Sequence, residues 1–480
     1  MSDANSIPEL CRLGATELAG LIRSRKASSR EVVGAFLDRI DRVNPRHTAI
    51  VSLRPRDELL AEADAADAAV ARGDSLGPLH GLPHAIKDLA LTKGLRTTYG
   101  SPLFADFIPT VDTVSVERIR RAGVVLIGKT NTPEMGLGSH TYNPVFGITR
   151  NAYDPAKSAG GSSGGAAAAL ALRLLPVADG SDMGGSLRNP AAFNNVFGLR
   201  PSQGRVPYAP VADGYFSQLS TDGPMARSIA DLALLLSVQA GYDARAPLSL
   251  DGEGAALVQG LEADPRGRRL AWLGDLGGHL PFEPGILELC KQGLALLGDL
   301  GCTVEPAAPD FDWEKLWQAF VAIRQFNVGG RYRALYDDPA KRTRLKPEMQ
   351  WEIEHGKRLG ALEVFAAAEV RTAWYNRALE LFRTYDGLLL PTAQVFPFTA
   401  ETHWPDRING KAMDSYHRWM EVVVPGTLSG CPVISVPVGF SAAGLPMGMQ
   451  IIGRPRGERA LLQLARAYEQ VCPWLSVLPG

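Results

Sequence analysis

Cysteine and histidine are scarce in this chain, five and eight of 480 residues, and neither type clusters. Cys11, Cys290, Cys302, Cys431 and Cys472 form no Cys-x-x-Cys pair and keep no zinc-type spacing to a histidine. That argues against a disulfide framework and a structural metal, and suits reduced thiols in a cytoplasm. Neither a metal nor a cofactor is expected. An excess of one charge is lacking as well. The formal net charge is -1, which leaves no basic footprint for nucleic acid. No uncharged run reaches the roughly eighteen apolar residues that a membrane span needs. The opening segment MSDANSIPEL has no basic-then-apolar leader pattern. The expectation is a soluble, cytoplasmic protein that meets neither membrane nor nucleic acid.

What the chain does have is ample apolar material, 45% against 21% charged residues, enough for a large core. Residues 14–45 read as two helices, the second opened by Ser28-Ser29-Arg30-Glu31 as a capping box. An alanine-rich helix over 58–71 ends near Gly73, and Val124-Val125-Leu126-Ile127 reads as a buried strand. Small residues over 166–175 suit a helix packed tightly against a sheet. Helix is expected around 229–238, strand at 268–273 and helix at 285–297. A long helical stretch rich in Trp and Phe follows over 311–383. Strand signals return at 387–391, 433–438 and 444–453, and a last helix covers 457–471. Strands alternating with helices predict an α/β fold, a large twisted mixed sheet with helices on both faces. Residues 1–480 read as one domain. Its catalytic core segment spans 70–210, and a helix-rich lobe over 250–385 is placed to shape a substrate pocket.

The most informative segments are two glycine-framed serines. Gly160-Gly161-Ser162-Ser163-Gly164-Gly165 is followed by Asp182-Met183-Gly184-Gly185-Ser186-Leu187-Arg188. Glycines there let a substrate carbonyl approach main-chain N–H groups closely. Upstream, Gly81-Leu82-Pro83-His84-Ala85-Ile86-Lys87-Asp88 sets a lysine in an apolar stretch, where burial disfavours the ammonium form. Two serines and a desolvated lysine provide a nucleophile, a proton relay and a base without histidine. Competing motifs are weaker. Gly123 to Thr130 spells a P-loop, but its middle positions are Val-Val-Leu-Ile, a strand whose N–H groups belong to a ladder. Gly160-Gly161-Ser162-Ser163-Gly164 also fits a nucleophile elbow, yet the residues before it form a turn, and His355, His403 and His417 stand in no loop motif. A flexible linker would not run straight into a small-residue helix that must be buried.

Together with Gly128-Lys129-Thr130-Asn131, Phe146-Gly147-Ile148-Thr149-Arg150-Asn151 and Gly444-Leu445-Pro446, these segments resemble the amidase signature family of serine hydrolases. The resemblance covers nearly the whole chain and implies that family's fold. It implies Ser186 as nucleophile, Ser162 as relay preceded by a cis peptide, and Lys87 as base. Main-chain N–H groups of Met183, Gly184, Gly185 and Ser186 would form the oxyanion hole. Ser163, Asp182 and Arg188 would support the site. Met183 departs from the Thr or Ile that many members carry. The implied reaction is hydrolysis of the carbon–nitrogen bond of a small amide, with carbamates and esters sharing the same tetrahedral intermediate. A homodimer is a permitted assembly. The alternative is the glutamine-handling component of a tRNA-dependent amidotransferase complex, inactive alone; Lys93-Gly94-Leu95-Arg96-Thr97-Thr98 resembles its corresponding segment. Trp313, Trp317, Phe320, Phe326, Phe396, Phe398, Trp404, Tyr416 and Trp419 are candidates either to line the substrate pocket or to form helix core.

Overall fold

The computed structural model describes residues 7–252 and 254–480. Most of the opening segment read for a leader, residues 1–6, lies outside the described residues. Eight strands form one mixed sheet, running from Thr303–Pro306 through Arg269–Trp272, Gly387–Pro391, Pro446–Gly453, Val433–Phe440, Phe197–Arg200 and Thr221–Ala226 to Val177–Asp182. The first three strands are parallel, and every later pairing is antiparallel. Successive strand residues face opposite sides. Val177 and Ala226 enter the core cluster of helix Ile229–Gln239, whereas Ala178 and Met225 enter that of helix Gly164–Ala171. Helices therefore cover both faces, which is why these strands are apolar almost throughout.

The local chemistry anticipated from the residues holds at the element ends. Ser28 and Glu31 close a capping box on helix Ser29–His47, and Gly73 ends helix Arg56–Arg72 in the left-handed conformation. The P-loop lookalike is strand Val125–Thr130. Its Lys129 side chain is buried and donates to Ala90 O and Thr92 Oγ1, both at 2.8 Å. One boundary changes. The helix-rich excursion does not start at 250, because Arg269–Trp272 and Thr303–Pro306 complete the edge of the large sheet. The lobe proper is four helices, Trp313–Asp337, Pro339–Arg342, Pro347–Arg358 and Ala361–Phe382. Among the described residues, no helix is long and apolar enough to cross a membrane.

A second, three-stranded sheet joins Ile50–Val51, Val125–Thr130 and Pro83–Lys87. Its edge strand Pro83–Lys87 meets Val177–Asp182, the edge of the large sheet. Asp179 ties the two edges together. His84 Nε2 donates to its Oδ1 at 3.1 Å, and the Lys87 N–H donates to its Oδ2 at 3.3 Å. The site lies along this seam.

Candidate active site

Lys87 closes the edge strand of the small sheet, 1% exposed, and its ammonium reaches across the seam. Nζ lies 2.7 Å from Ser162 Oγ, 2.8 Å from Ser163 Oγ, 3.1 Å from Ser181 Oγ and 3.3 Å from Ser181 O. An ammonium has three N–H bonds for these four oxygens. A neutral amine has two and a lone pair, so one hydroxyl can turn and donate to it. Burial pushes the Lys87 ammonium down to about 7, against Asp222, Asp179 and Asp182, whose carboxylates favour its charged form. The lysine is thus poised to change charge near neutral pH.

The serine tract is held by its backbone. The Gly161–Ser162 peptide is cis. Gly160 sits at φ +72°, a conformation open to glycine, and a Cβ there would meet the Pro190 main chain at 3.0 Å. Thr141 Oγ1 donates to Gly160 O at 2.8 Å, and Ser139 Oγ donates to Gly161 O at 2.7 Å. Helix Gly164–Ala171 begins directly after Ser163. No strand precedes Ser162, so the elbow reading fails on geometry. His403 and His417 stack on Tyr142 and Tyr416, His355 packs tilted against Trp351, and none lines the cavity above Lys87.

Ser186 follows the large-sheet edge strand in the loop 183–187, and it lines the same cavity as Lys87 and Ser162. Asp182 organises this loop. Its carboxylate accepts from Arg188 Nε and Nη2 at 3.0 Å each, from the Gly185 N–H at 2.9 Å and from the Leu187 N–H at 3.1 Å. Arg200 stands 3.5 Å from it, a second buried cation with no sequence signal. Burial disfavours its charge, yet Arg188 and Arg200 hold the Asp182 carboxyl well below the usual carboxylate range. Arg188 also donates to Gln450 Oε1, Thr427 Oγ1 and Val423 O, anchoring the loop to the C-terminal sheet. Of the four expected oxyanion donors, one already has an acceptor. The Gly185 N–H is engaged by Asp182, whereas the Met183, Gly184 and Ser186 N–H groups enter no such bond among the described residues. Gly185 instead contributes its φ of +89°, which turns the loop back on itself.

The candidate aromatics divide away from the cavity. Trp313, Trp317 and Phe320 pack in a lobe core, Phe396, Phe398, Trp404 and Trp419 against the main core, and Tyr416 in a third cluster. Phe326 packs edge-on against Phe216 and does not line the cavity either. What the lobe does present is one face of helix Trp313–Asp337, with Arg324, Asn327, Val328, Arg331 and Tyr332 on the cavity wall. Those positions follow the i, i+3, i+4, i+7, i+8 spacing of a helical stripe, a signal present in the sequence. Arg324 pairs with buried Glu352 at 2.5 Å and donates to Met183 Sδ at 3.3 Å, so the lobe and the 183–187 loop touch directly. Tyr99 and Tyr208 complete an aromatic rim.

The chain is similar to known proteins over nearly all of its length. The Amidase family model matches residues 31–462. An acylamidase from Rhodococcus erythropolis is 35% identical over 476 residues, covering 98% of this chain and 97% of that protein. One component of the glutamyl-tRNA(Gln) amidotransferase of Thermosynechococcus vestitus is 34% identical over 480 residues, covering 95% of this chain and 98% of that protein. A solved bacterial aryl acylamidase of the amidase signature enzymes superposes with a TM-score of 0.89 at 29% identity, covering 96% of each chain. The chain belongs to the amidase signature family, whose hydrolases act on carbon–nitrogen bonds.

Proposed function

We propose that this protein hydrolyses linear amides through an acyl-enzyme formed on Ser186. The reading rests above all on Lys87 Nζ lying 2.7 Å from Ser162 Oγ beneath a cavity that Ser186 also lines. Neutral Lys87 takes the Ser162 proton while Ser162 takes the Ser186 proton, and Ser186 Oγ attacks the carbonyl carbon. The C=O π electrons move to oxygen, and the oxyanion faces the Met183, Gly184 and Ser186 N–H groups. Each such donor is typically worth about 10²–10³ in rate. Collapse breaks the C–N bond, and Ser162 delivers the proton to the departing nitrogen. Water then releases the acid by the same relay in reverse. Ser163 and Ser181 hold the lysine, and Asp182 and Arg188 hold the loop. Anilides and other aryl or acyl amides fit the tyrosine-rimmed cavity and the activities that similar proteins' names carry. Carbamates and esters pass through the same intermediate.

Ser186→Ala is expected to abolish turnover of anilides and labelling by a serine-reactive fluorophosphonate. Full activity in that variant would sink the assignment. A second reading, glutamine hydrolysis within a tRNA-dependent amidotransferase complex, is favoured by near-equal identity to the amidotransferase relatives. Turnover of anilides and aryl carbamates by the purified single chain, with glutamine left intact, decides against it.

A further inference from the structure

One buried carboxylate at the site makes no hydrogen bond or ion pair among the described residues and has no role in the chemistry above. Asp222 lies on strand Thr221–Ala226 directly opposite Ser181 of the large-sheet edge, so the two side chains share a face. Ser181 Oγ is the hydroxyl 3.1 Å from Lys87 Nζ. Asp222 therefore stands beside the lysine, 8% exposed, on the wall of the cavity that holds Ser162 and Ser186. Its neighbour Asp179 is occupied by His84 and the Lys87 N–H. Asp222 is not: among the described residues its carboxylate enters no ion pair and accepts no hydrogen bond. A carboxylate in that state carries a cost of desolvation that the nearby cations Lys87 and Arg331 only partly offset. A donor that arrives with the substrate would remove that cost.

We propose that Asp222 seats a cationic amine of the substrate, making the preferred substrates amides that carry an ammonium group near the scissile bond. The inference rests on the Ser186–Ser162–Lys87 reading and adds a consequence to it. The charged groups around Asp222 are Lys87 across the seam, Arg331 from the lobe helix, and Asp179 on the neighbouring strand Val177–Asp182, with Asp182 at the end of that strand. Burial and Asp179 push the Asp222 carboxyl up, to about 7, and an ammonium would return it to the charged form. The Asp222 anion in turn favours charged Lys87. An ammonium seated on Asp222 cancels that influence, so Lys87 releases its proton at lower pH and the base is freed as the substrate docks.

The test uses the full chain and a series of anilides whose acyl chain ends in ammonium, two to six carbons from the carbonyl. Each is paired with the isostere ending in methyl, and matched N-alkyl amides place the same groups on the leaving side. In the unmodified protein, at least one ammonium member should be preferred over its isostere in kcat/KM, with the acidic limb of its kcat profile, which reports the enzyme–substrate complex, displaced to lower pH. Asp222→Asn should cut that preference about tenfold or more, the scale of a hydrogen bond to a charged group, and bring the two pH limbs together. Competitive inhibition by short alkylammonium ions should weaken in the same variant, with the matching alcohols as controls. Equal selectivity before and after substitution, or no preference for any ammonium member, overturns the proposal. Because the limb comparison is made on the unmodified protein, it stands even if the variant folds poorly. Failure of the underlying reading looks different: methyl-ended anilides would still turn over in Ser186→Ala.

Discussion

At the scale of single residues, the site depends on where one proton sits. Lys87 can act as a base only when neutral, and burial brings its ammonium down to about 7. Activity should therefore rise with pH through about 7 and level off above it, as the fraction of neutral amine saturates. Measuring kcat/KM on an uncharged anilide from pH 5.5 to 9 checks this. A profile flat through neutrality would contradict it, and Lys87→Ala should lose most of the activity near pH 7. Lys87, Ser162 and Ser186 stood out as candidates because the serines sit in glycine frames and the lysine in an apolar stretch. Asp179, Arg200 and Asp222 were not readable. A lone acid or arginine in a strand looks like a surface charge until its pairing register is known, and registers are absent from composition. The Gly185 contact was hidden for a related reason: the resemblance names the loop, but only geometry says which N–H Asp182 holds.

At the scale of elements, helix Gly164–Ala171 and strand Pro83–Lys87 do the positioning. The helix is built of glycine, alanine and one leucine, so its backbone can come close to its neighbours. A Cβ at Gly165 would meet the Asn131 main chain, with its carbonyl oxygen 2.7 Å away. Backbone cannot swing aside as a long side chain can. Gly165→Val should cost about 1–3 kcal/mol by overpacking, seen as a lower denaturation midpoint with an unchanged m-value, and it should displace the adjacent Ser162 and Ser163. The small-residue pattern predicted such tight packing. Which segment lies opposite was invisible, since Asn131 directly follows a strand of the other sheet. The lobe helix teaches the complementary lesson. Its conspicuous tryptophans and phenylalanines draw the eye to a pocket, yet burial of large rings stabilises a core wherever there is room, and here they fill one. Its polar stripe lines the cavity.

At the scale of the whole molecule, the site is assembled where two sheets and a lobe meet. Trp374 fastens the lobe to the body: it is fully buried, and its Nε1–H donates to Pro425 O at 2.8 Å. Trp374→Ala should cost about 3–5 kcal/mol, the range for emptying a large aromatic site. Calorimetry would read this as a lowered melting temperature. Anilide turnover should fall with it, because Arg324 to Tyr332 would lose their seat on the cavity wall. Unchanged stability would show that the lobe is held elsewhere.

The amino-acid order determined the class of the fold and the three residues proposed for the chemistry. Alternating apolar runs and glycine-framed serines are local facts, set by backbone conformation and desolvation and legible a few residues at a time. Tertiary structure decided the rest: that the lobe begins only after two more strands of the large sheet, that Asp182 already holds the Gly185 N–H, and that Asp222 stands unpaired beside Lys87 among the described residues. Those outcomes depend on which strand edges meet and in what register. Register is a property of the packed core as a whole, and no single segment carries it.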